Sequence, residues 1–144
     1  MTCALHQASD CSLNTGSVVI GSDEVGWGAV AGPLFVVAVA AQKSWRFRGL
    51  RDSKKYADKA ERADVFERLT EELRGHWALA TYSPSQIDQL GAQHCLIEAH
   101  TRVLQELLAK TPKSALDRVI VDGSLQLPSV RDAVAIPNAD ATFP

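Results

Sequence analysis

The chain is poor in cysteine: three in 144 residues, Cys3, Cys11 and Cys95. An odd number without C-x-x-C spacing excludes a dense disulfide scaffold and points to a reducing, cytoplasmic setting. Cys3, His6 and Cys11 lack a fourth partner for a metal site. Long apolar runs are missing too, since no stretch approaches the ~18 residues of a membrane helix. The N-terminus has no basic region followed by an apolar core, so a soluble, unprocessed chain is expected. An excess of charge of one sign is also missing, with 15 Lys and Arg against 17 Asp and Glu. The net charge of −2 does not mark the whole chain as a nucleic-acid binder. Repeats and low-complexity segments are absent. What is present is 46% hydrophobic residues, enough for one domain to bury a core.

Residues 1–16 are polar and irregular and read as a flexible tail, leaving 17–144 as a single core. Val18–Asp23 and Pro33–Ala41 are apolar and β-branched, and the glycine-rich turn between them suggests a hairpin-like pair. Lys59–Arg74 has Ala63, Val65, Phe66, Leu69 and Leu73 at helical spacing, with Asp58 or a preceding residue as the cap. His76–Tyr82 reads as a third strand. Helical periodicity resumes from Ser85 to Ala109, with Gly91 as an interruption. Asp117–Asp122 and Ala133–Ile136 complete a β-β-α-β-α-β-β order.

Acids fall at or just past the ends of these strands: Asp23 and Glu24 together, then Asp122 and Asp140. A sheet can bring such residues into one cleft, where four carboxylates repel each other unless a cation neutralises them. Oxygen ligands suit Mg²⁺ or Mn²⁺, and a metal-bearing acidic cleft suits phosphodiester hydrolysis. Taken singly, Asp122 before Gly123 and Asp140 in a polar loop are ordinary turn acids. The adjacent pair Asp23-Glu24 resists that reading better. Lys43–Arg62 holds eight Lys and Arg against three acids, a possible phosphate-facing patch, although basic runs are more often solvated faces. His94 and His100, six residues apart on a predicted helix, do not share a face. With His76 they are expected to be surface or boundary histidines. Ser53 has no His and Asp arrangement that would make it a nucleophile.

In Gly21-Ser-Asp-Glu-Val-Gly-Trp-Gly-Ala-Val-Ala-Gly-Pro33 and then Leu50-Arg-Asp-Ser-Lys-Lys55, the chain resembles the ribonuclease HII family, in order. Ser83–Asp88 is similar to that family's strand-to-helix junction, and Val119–Gly123 to the strand supplying its third acid. Asp140 fits its fourth. The resemblance spans 17–144 and implies an α/β, RNase H-like mixed five-stranded sheet flanked by helices. It also implies divalent-metal-dependent hydrolysis of the RNA strand in RNA–DNA hybrids, including ribonucleotides embedded in DNA. By the same resemblance Asp23, Glu24 and Asp122 would be metal ligands for Mn²⁺ or Mg²⁺, and Asp140 would complete the catalytic acids. Gly26, Trp27, Gly28, Ser53, Lys54 and Lys55 would meet substrate. No obligate protein partner and no membrane are implied.

Two departures stand out. Trp27 occupies the place where the family usually carries a basic residue, and it reads equally as a substrate contact or as an apolar anchor under the turn. The family also continues past the position of Pro144 with further helices, so the core is expected to be C-terminally incomplete. A catalytically inactive nucleic-acid-binding fragment is therefore the alternative. Another RNase H-like phosphoryl-transfer nuclease is a third reading, against which the Asp-Ser-Lys-Lys block argues.

Overall fold

Strand β1, Val18–Val25, has hydrogen-bonded neighbours on both sides and organises the rest. The computed structural model describes residues 16–29, 31–137 and 139. β1 pairs antiparallel with β2, Leu34–Gln42, from Val18 opposite Gln42 to Val25 opposite Phe35. β2 pairs antiparallel with β3, Trp77–Tyr82. On its other edge β1 runs parallel to β4, Leu116–Asp122, and β4 runs parallel to β5, Ala133–Ile136. The order β3-β2-β1-β4-β5 is the expected mixed five-stranded sheet.

Period-two alternation decides which face is dry. Val18, Ile20 and Ser22 of β1 face inward with Leu34, Val36, Ala38 and Ala40 of β2 and Ala78, Ala80 and Tyr82 of β3. Helix α3, Ala92–Lys110, lies on this face and buries Cys95, Leu96, Ala99, His100, Val103, Leu104 and Leu107. The alanines at the centre of β2 and β3 are small enough to let the helix approach closely. Each fully buried Leu or Val on α3 contributes about 1.5–3 kcal/mol of transfer free energy. The other face is open. Phe35, Val37, Leu79 and Val134 are 38–54% exposed there.

The periodic stretch from Ser85 is two helices rather than one. α2, Pro84–Leu90, starts in a capping box between Ser83 and Gln86, with Pro84 in the first turn. Gly91, at φ +86°, ends α2 and begins α3. α1, Lys59–Glu72, is the expected helix, two residues shorter at its C-terminal end. Asp58 caps it by accepting from the Glu61 N–H at 2.8 Å, but its apolar stripe is only partly used. Val65 and Leu73 are buried and Leu69 is half-buried, whereas Ala63 and Phe66 are exposed. Polar contacts to the basic segment before it add to this hold, including the Trp45 indole N–H donating to Glu72 at 2.7 Å.

Candidate active site

The parallel pairing of β1 with β4 brings their C-terminal ends side by side, with the acids there. Asp23 and Glu24 are consecutive on β1, so they lean to opposite sides of the sheet edge. Asp122, the last residue of β4, borders a hollow shared with each of them. With Asp23 it borders a shallow hollow of about 340 Å³ on the open face, along with Val19, Val37 and Ile120. With Glu24 it borders a cleft of about 610 Å³ that Gln93, Leu96, Ile97 and Gly123–Gln126 also line.

Backbone groups fix these carboxylates. Asp23 Oδ1 accepts from the Glu24 N–H at 2.7 Å. Asp122 Oδ1 accepts from the Gly123 N–H at 3.0 Å and from the Ala139 N–H at 2.8 Å. Gly123 N–H also reaches the Ile136 carbonyl at 3.1 Å, so the end of β5 is tied to the acid of β4. Asp140 lies outside the described residues. Glu24 is held above its ordinary pKa, first by burial and then by the charges of Asp23 and Asp122. Such mutual repulsion is what a bound cation relieves, and carboxylate oxygens are the hard ligands that Mg²⁺ and Mn²⁺ prefer. Among the described residues, however, no group of three or more His, Cys, Asp or Glu is gathered tightly enough to cage an ion.

His100 overturns the expectation of a surface or boundary histidine. It is fully buried in α3, and its Nδ1 lies 3.0 Å from Ser22 Oγ. Its Nε2 lies 3.5 Å from Glu24 Oε2. Burial lowers its pKa to about 4, so the ring is neutral at pH 7. The signal was in the spacing: His100 follows Leu96 by four residues and precedes Val103 and Leu104 by three and four, inside the apolar stripe.

The glycine-rich turn sits beside the acids. Gly26, Trp27 and Gly28 line a cleft of about 570 Å³ with Leu34, Pro84, Ile87 and Asp88. Trp27 also lines the acidic cleft with Glu24 and Asp122. At 49% exposure the indole is no buried anchor under the turn; it stands on the rim shared by the two clefts. Ser53, Lys54 and Lys55 form a separate 3-10 turn, in which Ser53 and Lys55 are exposed and the Lys54 side chain lies outside the described set. Part of the surrounding positive charge is used internally. Arg51 pairs with Glu61 and stacks over Tyr56 at 4.6 Å, Arg46 donates to the carbonyls of Lys43 and Trp45, and Lys43 lies 3.7 Å from Asp117.

A family model described as ribonuclease HII matches residues 20–136. A ribonuclease HII of Francisella philomiragia is 32% identical over 107 residues, covering 74% of this chain and 54% of the relative. The chain thus spans about half the length of that curated relative. Among solved structures, the ribonuclease H2 of Pyrococcus horikoshii OT3 superposes with a TM-score of 0.66 at 22% identity, over 88% of this chain and 65% of the other. Bst-RNase HIII in complex with Mn²⁺ superposes with a TM-score of 0.58 at 20% identity, over 88% and 47%. These structures share the RNase H-like fold. With a family model matched from the first strand to the last, the chain belongs to the ribonuclease HII family.

Proposed function

We propose that this chain is the catalytic core of a divalent-metal-dependent endonuclease that hydrolyses the RNA strand of RNA–DNA hybrids and cuts beside ribonucleotides embedded in DNA. One observation carries the reading. Asp23 and Glu24 end one strand, Asp122 ends its parallel neighbour, and the charges of Asp23 and Asp122 raise the pKa of Glu24. Asp23, Glu24 and Asp122 would hold Mn²⁺ or Mg²⁺, and Asp140 would complete the acidic set. The Mn²⁺ complex of a ribonuclease HIII with this fold supports that choice of ion. When bound, the ion supplies an activated water and stabilises the leaving oxygen of the phosphodiester.

The chain's own groups would orient the substrate. The backbone of Gly26 and Gly28 can approach a phosphate or ribose hydroxyl, because no side chain stands in the way. The exposed Trp27 ring offers a stacking surface for a sugar or base beside the acids. Ser53, Lys54 and Lys55 would take phosphates farther along the duplex. The described residues include no helix long and apolar enough to cross a membrane. A free Cys95 thiol suits a reducing, cytoplasmic setting.

The test is cleavage of an RNA–DNA hybrid by the 144-residue chain in Mn²⁺. Asp23→Asn and Asp122→Asn should each lower the rate roughly a hundred-fold or more, about 3 kcal/mol of transition-state stabilisation. Unchanged cleavage in either variant would refute the site. Hybrid binding without cleavage in the parent chain would favour an inactive nucleic-acid-binding fragment.

A further inference from the structure

We propose that His100 is a positioning residue that orients the Glu24 carboxylate through its Nε2–H, with Ser22 fixing the imidazole from behind. The inference rests on reading Glu24 as a metal ligand. Ser22 and Glu24 are two residues apart on β1 and therefore share a face, the one covered by α3. His100 reaches across from α3 to both of them, with its ring wholly shielded from water.

The two ring nitrogens have different neighbours. Nδ1 has the Ser22 hydroxyl at hydrogen-bonding distance, 3.0 Å. Nε2 has no hydrogen-bond partner among the described residues, and Glu24 Oε2 lies 3.5 Å away, slightly too far for a sound bond. An ionised carboxylate can only accept, so it favours the tautomer that carries its proton on Nε2. Nδ1 is then bare and accepts from the Ser22 O–H. The result is a directed chain from the Ser22 hydroxyl through the imidazole to the Glu24 carboxylate. A small rotation of Glu24 would close the last gap, satisfy the buried Nε2 and fix the direction of the carboxylate oxygens. Metal ligands held by an outer hydrogen bond in this way bind more tightly, because less freedom is lost when the ion arrives.

The experiment measures Mn²⁺ binding to the intact chain by calorimetry, alongside metal-free melting curves and a histidine-selective ¹⁵N–¹H correlation spectrum. His100→Leu should weaken Mn²⁺ affinity roughly ten- to hundred-fold while leaving the metal-free melting temperature equal or higher. His100→Gln should recover part of the affinity, and Ser22→Ala should lose several-fold. The spectrum of the parent chain should show the His100 proton on Nε2. Asp23→Asn separates this proposal from the site reading beneath it. If Asp23→Asn abolishes binding and His100→Leu keeps full affinity, the role of His100 is wrong and the site stands. A parent chain that binds no Mn²⁺ overturns both, and a proton on Nδ1 overturns the positioning role alone.

Discussion

Gly26 and Gly28 flank Trp27 in the turn beside the acids, and replacing each with alanine should separate two kinds of backbone constraint. Gly28 adopts φ +80°, and a Cβ there would meet nothing within 4 Å. Gly28→Ala therefore carries only the strain of a left-handed conformation, about 1–2 kcal/mol. Gly26 adopts φ +100°, and its Cβ would lie 2.5 Å from the carbonyl oxygen of Pro33. That neighbour is backbone and cannot swing aside. Moving it displaces the start of β2, where Leu34 pairs with Tyr82. Adding an overpacking cost of about 1–3 kcal/mol brings Gly26→Ala to about 2–5 kcal/mol. At about 3 °C per kcal/mol for a chain of this size, melting temperatures should fall by about 3–6 °C for Gly28→Ala and about 6–15 °C for Gly26→Ala. Circular dichroism melts decide it. Equal losses in the two variants, or a Gly26→Ala chain as stable as its parent, would show that the approach of the turn to Pro33 constrains nothing.

Two further outcomes follow from the same contacts. Glu24→Gln should raise the melting temperature of the metal-free chain at pH 7, because burial and the charges of Asp23 and Asp122 hold the Glu24 pKa above its ordinary value. An acid with a raised folded pKa weakens the fold above that pKa and costs nothing below its unfolded one, so the gain should shrink as pH falls to about 4. A gain that grows on acidification contradicts the sign. Asp58→Ala should remove about 1 kcal/mol of capping from α1. Since the cap acts on the first turn, hydrogen exchange at the Glu61 amide should quicken more than the global melt shifts.

How much was visible beforehand depended on whether the deciding physics was local. Strand alternation and the glycine-rich turn were enough for the β1–β2 pair, because one face of each strand had to be dry. Ser83, Pro84 and Gly91 punctuate the helical run by their own backbone preferences. Periodicity found α1 and its inward Val65, Leu69 and Leu73, but it could not tell that Ala63 and Phe66 would stay exposed, because periodicity reports only a face that could be buried. The acids were legible as strand ends, and their closeness at β1 and β4 needed the parallel register that only the sheet supplies. His100 was missed for a similar reason. A histidine within an apolar stripe is informative only once Ser22 and Glu24 are known to face it.

The parallel register also fixes when the acidic cleft can come into being. Asp23 and Asp122 lie about a hundred residues apart in sequence, so closing the β1–β4 ladder is among the most entropically demanding and slowest steps available to this chain. The hairpin of β1 and β2 can form early from neighbours, yet it carries only two of the three proposed metal donors. An ion that needs both strands would therefore stabilise only chains that have finished folding, and metal affinity would report completion of the sheet.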